Sequence, residues 1–323
     1  MGPGFRQGDL AHPPKINPEG KFVLLTADLL LLLTAAIWGF AFVAQRLGNV
    51  YMGPFTFNAI RFSLGAISLL PLLFWQKKQG VDRPKVPFRK LMGPMLAIGL
   101  LLFAGASLQQ VGLLGTTAGK AGFITGLYVI LVPLMALTWG RKTHAAHWVG
   151  AVLAVVGLYL LSVKSGFSIS PYDLIVLVGA FVWAGHVHMI DRYADTVGPV
   201  RLAIAQFAIT GMLSAGVALF FETVTFSAIV AGIGPILFGA FLSVGLAYTL
   251  QIVAQRTADP AHAAIILSLE GAFAALGGWL VLHEVLTARD LLGCGLMLAG
   301  TLVSQMLGRG KATQEAQKEL SSR

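Results

Sequence analysis

The sequence predicts an all-α membrane protein in which ten transmembrane helices form two inverted five-helix repeats. The first observation behind this prediction is composition: 56% of the 323 residues are hydrophobic and only 11% are charged, whereas soluble domains carry roughly 25% charged residues. The second is that ten apolar runs are long enough to cross a bilayer, which takes about 20 residues per helix. The third is that the second half of the chain repeats the first.

The apolar runs follow one another with short connections, several of which carry turn signals such as Gly53-Pro54 and Asp259-Pro260. The predicted spans are Leu24–Ala44, Pro54–Trp75, Leu91–Gly112, Ala118–Trp139, His147–Val163, Tyr172–Ile190, Val200–Phe221, Ile233–Gln255, Ala261–Leu282 and Leu291–Leu307. The polar tail 1–23 is predicted to be disordered, and the tail 308–323 to be disordered or a short polar helix. No soluble domain fits between the spans.

The repeat divides the chain into residues 24–163 and residues 171–307. The corresponding positions include Trp38 with Trp183, Gly53 with Gly198, Arg61 with Gln206, Gly150 with Gly293 and Gly157 with Gly300. Because each copy holds five spans, an odd number, the second copy must enter the membrane from the opposite side. Inverted repeats of this kind are typical of secondary transporters, whose sites lie near the membrane midplane where the two halves meet.

Charge predicts the orientation. Most of the 23 Lys and Arg residues fall in the tails and in the connections that share a side with both termini. Positively charged connections mark the cytoplasmic side, so both termini are predicted to be cytoplasmic, in a cytoplasmic (inner) membrane. The net charge of +9 is accounted for by these flanking residues, and nucleic acid is not predicted as a partner.

Enzyme motifs are incomplete in this sequence. The chain has a single cysteine, Cys294, and its His283-Glu284 pair lacks the second histidine of a zinc-binding HExxH motif. It also lacks a phosphate-binding G-x-x-x-x-G-K-[ST] loop. The sequence therefore predicts no catalytic residues, no metal site and no cofactor. The predicted partners are a small-molecule substrate and the lipid bilayer, and both a monomer and a homodimer remain open.

Several stretches resemble the EamA family of ten-span carriers in the drug/metabolite transporter superfamily. They are ADLLLLLTAAIWGFAFVAQR at 27–46, AGKAGFITGLYVILVPL at 118–134 and the run 267–300. The resemblance implies a secondary transporter for a small organic metabolite, such as an amino acid, nucleobase, sugar or drug-like solute. It implies alternating access and, for many members, export. The alternative is a membrane protein that transports nothing, such as a sensor or a lipid-modifying enzyme.

Glu270 is the leading candidate for a site residue, because it lies near the middle of span 9. A carboxyl group there is costly unless it is paired, protonated or hydrated, which predicts a substrate site and a proton-coupling site. The alternative is a hydrogen-bonded carboxyl that holds span 9 to a neighbour. Tyr128 in span 4 aligns next to Glu270 in the repeat and is predicted to approach the same volume.

Other candidates are polar or aromatic residues within spans. Trp38 and Gln45 share one face of span 1, and Trp183 is the counterpart of Trp38 in span 6; the alternative for this stripe is ordinary helix packing. His186, three residues after Trp183, and Gln109 in span 3 are further predicted substrate contacts. Lys120, near the outer end of span 4, is predicted as an entrance charge or as a lysine that extends toward the headgroups. Arg61 is interpreted mainly as a brace within the bundle.

Overall fold

The computed structural model describes residues 18–80, 87–138, 145–162, 170–282, 287–289 and 291–304. These residues are almost entirely helical, and no strand occurs among them. The helices in chain order are α1 (Pro18–Tyr51), α2 (Pro54–Lys78), α3 (Phe88–Gly112), α4 (Ala118–Gly126), α5 (Tyr128–Thr138), α6 (Ala145–Ser162), α7 (Pro171–Val197), α8 (Pro199–Phe221), α9 (Phe226–Ala231), α10 (Ile233–Leu237), α11 (Thr249–Ala254), α12 (Pro260–Leu267), α13 (Glu270–Leu282) and α14 (Leu291–Ser304). A π-helical segment, Phe238–Tyr248, joins α10 to α11.

The described residues form helices at all ten predicted spans, and the predicted fold class is confirmed. Eight are long and apolar enough to cross a membrane, and the shorter apolar helices at Ala145–Leu160 and Leu291–Ser304 complete the set. The first helix begins at Pro18 and therefore extends into the predicted disordered tail 1–23. The predicted disorder of the remainder of that tail, residues 1–17, and the predicted tail 308–323 lie outside the described residues.

The two repeats pack against each other through corresponding helices. Helix α2 makes its most extensive contacts with α8, its counterpart in the second repeat. At this contact Phe62 faces Phe207, the equivalent residue, with ring centroids 6.2 Å apart. Likewise α3 packs on α7, just as the eighth span packs on α1. An approximate two-fold axis in the plane of the bundle therefore relates the repeats, as an inverted repeat requires.

Helices α6 and α14, the last of each repeat, pack closely through glycines. A Cβ atom added at Gly150 would lie 2.7 Å from the carbonyl oxygen of Gly300, and one added at Gly300 would lie 2.6 Å from that of Gly150. Gly157 and Gly293 make the matching contact, which the approximate two-fold axis relates to the first. Small residues allow helix backbones to approach this closely in a membrane.

Two equivalent spans are broken near their middle. The fourth span is interrupted at Leu127, between α4 and α5, and the ninth at Ser268 and Leu269, between α12 and α13. Each break uses short-range backbone bonds, for example from the Leu127 N–H to the carbonyl of Ile124 at 3.2 Å. The second half-helix begins at Tyr128 in one span and at Glu270 in the other. Leu127 and Ser268 keep right-handed helical dihedral angles, so each break is a local tightening of the helix and leaves no unwound backbone.

The bundle has two end faces. The N-terminal face is the one where α1 begins, and it also holds the ends of α5, α11 and α14. The opposite face holds the starts of α2, α4 and α7. Because alternate spans run in opposite directions, this assignment follows from chain order alone.

Candidate functional site

A cavity lies at mid-height between the two repeats and encloses about 480 Å³ of space between atoms, part of which is open to solvent. Its polar and aromatic lining, more than its volume, marks it as the candidate site. Seven of the ten spans contribute to its wall. The lining residues are Trp38, Ala41, Phe42, Gln45, Arg61, Gln109, Thr125, Tyr128, Trp183, Val187, Ser243, Tyr248, Gln251, Leu267 and Glu270.

The acidic part of the cavity is formed by the two broken spans. Glu270 and Tyr128 are the first residues of their half-helices, and each side chain is 4% exposed. Glu270 and Tyr128 interact with each other, and within the described part of the chain neither Glu270 Oε1 nor the Tyr128 hydroxyl has another hydrogen-bond partner. A buried polar group without a partner costs about 1–3 kcal/mol. The Glu270 carboxyl is therefore available to a proton or to a donor on a ligand.

The basic part of the cavity is Arg61, which is 2% exposed. Its Nε donates to Asn58 Oδ1 at 2.9 Å, and its guanidinium carbon lies 4.7 Å from the centroid of the Phe62 ring. Gln45 Oε1 is 3.5 Å from an Arg61 terminal nitrogen and also accepts a hydrogen bond of 3.0 Å from Gln109 Nε2. No carboxylate among the described residues forms an ion pair with Arg61. The guanidinium is thus positioned by neutral groups and can pair with an anionic group on a ligand.

Aromatic rings form the wall between these charged groups. The Tyr248 ring lies 4.6 Å from that of Trp38 and 6.2 Å from that of Trp183, measured between centroids. Trp38 Nε1 donates to the carbonyl of Ser243 at 3.2 Å, whereas Trp183 Nε1 has no partner among the residues described. Such a wall can contact apolar groups of a ligand and, through the ring faces, a cation.

Six of the seven predicted substrate contacts line the cavity: Trp38, Gln45, Gln109, Tyr128, Trp183 and Glu270. His186 does not. It is fully buried behind the wall, where its Nε2 lies 2.8 Å from Gln206 Oε1 and its ring meets the edge of Trp183 at 5.6 Å. The geometry of His186 therefore makes it a support for the aromatic wall, in contrast to its predicted position.

Lys120 lies on the opposite face, away from the cavity, with 28% of its side chain exposed. Its Nζ pairs with Asp173 Oδ2 at 2.9 Å. Lys120 thus takes part in an ion pair between α4 and α7. Its predicted role as an entrance charge stays a prediction.

Five polar lining residues are absent from the predicted contacts: Arg61, Thr125, Ser243, Tyr248 and Gln251. Arg61 carries a usable signal, since a charge this far inside a span marks a functional position by default. Tyr248 carries none, because it is a lone tyrosine in a largely apolar span. No group of three or more His, Cys, Asp or Glu side chains that could hold a metal occurs in the described part of the chain.

Comparison with known proteins identifies the kind of bundle this is. The model of the EamA-like transporter family matches the chain twice, at residues 25–163 and 170–306. An uncharacterized transporter of Archaeoglobus fulgidus is 36% identical over 281 residues, covering 86% of this chain and 85% of its own. The threonine/homoserine exporter RhtA of Escherichia coli K12 is 27% identical over 308 residues, covering 89% and 93%.

Two further similarities cover part of the sequence or the fold alone. A probable amino-acid metabolite efflux pump of Escherichia coli K12 is 31% identical over 160 residues, which is 48% of this chain and 50% of that protein. A solved crystal structure superposes with a TM-score of 0.70 over 91% of this chain and 99% of the other, at 19% identity. At that identity the similarity supports the helical architecture only.

Proposed function

The chain belongs to the EamA-like transporter family, and we propose that it is a secondary transporter that exports small zwitterionic metabolites by alternating access. The membrane is proposed to be the cytoplasmic (inner) membrane. The N-terminal face is proposed to be cytoplasmic, because the tails and connections on that side carry most of the Lys and Arg residues. Export is favoured by the relatives named as an exporter and an efflux pump.

The observation that carries the substrate class is the presence of one buried base and one buried acid in the same cavity. Arg61 and Glu270 both line it, and neither forms an ion pair with another described residue. A carboxylate on the substrate would take a paired hydrogen bond from the guanidinium, as carboxylates commonly do. An ammonium group would donate to the unpartnered Glu270 oxygen and face the aromatic wall. An α-amino acid carries both groups and fits this charge pattern.

Alternating access is supported by the symmetry of the bundle. Inward-facing and outward-facing states can be exchanged when two similar halves swap conformations around a site between them. The breaks at Leu127 and at Ser268–Leu269 lie beside the cavity in equivalent spans. They are the places where half of a span can move while the other half stays packed.

Proton coupling is proposed to run through Glu270. The substrate ammonium and a proton would occupy the same carboxyl group, so binding of one displaces the other. This competition is the simplest route to exchange of substrate for protons. It requires only the buried carboxyl at the start of α13, which interacts with Tyr128 and pairs with no base among the described residues.

The test of transport is counterflow into liposomes that hold the purified protein. Vesicles preloaded with unlabelled threonine should take up labelled threonine transiently above equilibrium, and uptake should saturate. A sensor or an enzyme would move nothing, and an open channel would show neither saturation nor counterflow. Glu270→Gln should abolish the counterflow, whereas Asp195→Asn, which alters an exposed carboxylate paired with Arg256, should retain it.

A further inference from the structure

A chain of hydrogen-bonding side chains closes the N-terminal face between spans 1, 5, 9 and 10. We call it the histidine chain; its members are Asp28, His262, Ser304, His147 and Asp259. His262 Nε2 lies 2.9 Å from Asp28 Oδ1, and His262 Nδ1 lies 3.1 Å from Ser304 Oγ. The same hydroxyl lies 2.8 Å from His147 Nδ1, and His147 Nε2 lies 3.7 Å from Asp259 Oδ1.

The donors and acceptors of the histidine chain allow one additional proton without the loss of a contact. With both imidazoles neutral, His262 donates to Asp28, Ser304 donates to His262, and His147 donates to Ser304. An added proton on His147 Nε2 faces the Asp259 carboxylate and forms an ion pair. If the cation forms on His262 instead, the Ser304 hydroxyl reverses its direction. Imidazole is the side chain whose charge ordinarily changes between about pH 5 and 8.

On the opposite face of the bundle, an equivalent contact has a lysine in place of the histidine. Asp173 is the repeat counterpart of Asp28, and it binds Lys120 at 2.9 Å. Lys120 and His262 occupy the same position, three residues after the N-cap of their helices. The backbone N–H of Lys120 donates to the Thr117 side chain at 3.2 Å, and that of His262 donates to Asp259 Oδ1 at 3.2 Å.

Each contact joins two spans that line the cavity, one contact at each face. On the N-terminal face, Asp28 of α1 is tied to His262 of α12. On the opposite face, Asp173 of α7 is tied to Lys120 of α4. A path from the cavity to either face must separate the spans that flank it, so each contact opposes opening at its own face.

We propose that these two contacts are the gate latches of the transporter, and that the latch on the N-terminal face is closed by uptake of a single proton whereas the Lys120–Asp173 latch is insensitive to pH. The inference rests on the proposed alternating access and adds the regulation of one gate. The added proton converts neutral hydrogen bonds into charge-assisted ones, which are stronger. A rise in pH on the N-terminal face therefore favours opening there.

The structure describes a few other ionisable side chains on the neighbouring helices. On the helices packed against α6 and α12, Lys120 of α4 lies at the opposite face and Glu270 of α13 lies at mid-height. Helix α5 has no ionisable side chain from Val129 to Thr138. The Cys294 thiol of α14 lies about two-thirds of the helix away from Ser304.

Helix α7 brings further charges to the same end of the bundle. These are Asp191, Arg192 and Asp195. Asp195 is held by Arg256 at 2.6 Å, and the Arg192 guanidinium lies over the ring of Tyr193. Among the described residues, the groups in contact with the two imidazoles are thus Asp28, Asp259 and Ser304, and the two rings themselves lie with centroids 6.0 Å apart.

The test measures opening without any substrate. In a Cys294→Ala background, Ser243→Cys places one thiol on the cavity wall, and a membrane-impermeant thiol reagent is applied from one face at pH 6 and at pH 8. The matched variant carries His147→Gln and His262→Lys, which replaces the imidazoles and copies the lysine of the other latch. Dividing the labelling rates of the two proteins cancels the intrinsic ionisation of the thiol.

From the N-terminal face, the rate with the native latch should rise at least about fivefold more between pH 6 and pH 8 than the rate with the variant latch. When the reagent is applied from the opposite face, the labelling rates of the two proteins should change with pH by the same factor. Lys120→His should transfer the pH response to the opposite face, and this variant tests the idea if the double variant fails to fold. Equal pH responses from the N-terminal face, or a thiol never labelled from either face, would overturn the proposal. A protein that passes this test but transports no zwitterion would contradict the proposed substrate only.

Discussion

The two repeats agree where they pack and differ where they line the cavity. Phe62 meets its own counterpart Phe207, and the glycines of α6 meet those of α14 in two equivalent contacts. In contrast, Glu270 corresponds to Tyr128, which begins the equivalent half-helix, and Arg61 corresponds to Gln206, which is buried against His186. Positions that the repeats share form the helix contacts, and positions at which they differ supply the charged groups of the cavity. The symmetric contacts therefore account for the proposed movement, and the differing residues account for the proposed substrate.

The largest effect should follow from removing the acid that only the second repeat has. Glu270→Gln keeps the size of the side chain but loses the charge that pairs with a substrate ammonium. Loss of one partner of a buried charge pair costs about 2–5 kcal/mol, so transport should fall at least about 30-fold. Initial rates in proteoliposomes measure this, with Asp195→Asn as the control. Transport within about twofold of the unaltered protein would remove Glu270 from the site.

A smaller effect should follow from replacing Arg61 of the first repeat by glutamine, the residue at the equivalent position of the second repeat. Arg61→Gln leaves a neutral amide where the guanidinium pairs with the substrate carboxylate. A hydrogen bond to a charged group is worth about 1.5–3 kcal/mol, which predicts a rise of about 10- to 100-fold in KM. As a control, a substrate analogue without a carboxylate should have the same KM with the variant as with the unaltered protein. If all analogues are affected equally, Arg61 braces the bundle and does not contact the substrate.

Equivalent glycines at the contact between α6 and α14 should lose similar amounts of stability when each is replaced by alanine. Gly157→Ala and Gly300→Ala, at equivalent positions of the two repeats, place a methyl group against the carbonyl oxygens of Gly293 and Gly150, respectively. Each should lower stability by about 1–3 kcal/mol, the usual cost of overpacking, and should lower the melting temperature by similar amounts. Gly216→Ala is the control, because an added Cβ there meets no atom within 4 Å. Unequal shifts for the two glycines would show that α6 and α14 are not equivalent at this contact.

The smallest expected effect is a difference in stability between variants of Trp38 and of its counterpart Trp183. Trp38→Phe removes the hydrogen bond to the Ser243 carbonyl, which should cost about 0.5–1.5 kcal/mol of stability. Trp183→Phe removes an indole N–H that has no partner among the described residues, so stability should hold while ligand affinity falls. Thermal unfolding with and without ligand measures both quantities. The reverse pattern would mean that Trp38 is the tryptophan that contacts the ligand.

The sequence predicted most of the cavity because its polar residues are rare within apolar spans. Glu270, Gln45 and Gln109 would be costly in lipid, so each had to face the interior, and the repeat placed Tyr128 beside Glu270. Tyr248 escaped prediction because a lone tyrosine in a largely apolar span gives no signal of the face that it presents; the structure places it at the end of a π-helical segment.

How deep a polar side chain lies in the bundle, and which way it points, is harder to predict from sequence than the fact that it faces the interior. His186 is three residues after Trp183, which suggested a shared face toward the cavity, but Gln206 on α8 holds its ring behind the wall. That contact depends on the packing of the two repeats, which no local pattern encodes. Arg61 was predicted as a brace and has brace contacts with Asn58 and Phe62, yet it also lines the cavity.

The most direct test of the paired-charge site is a binding comparison of three small molecules that differ only in charge. An α-amino acid, the amine without its carboxylate and the 2-hydroxy acid without its amine are each added to the purified protein, and the melting temperature is measured. A ligand that binds the folded state raises that temperature by mass action. The account predicts a clear rise with the amino acid and little or none with the two single-charge analogues. An equal rise with either analogue, or a rise only with uncharged nucleobases or sugars, would contradict it.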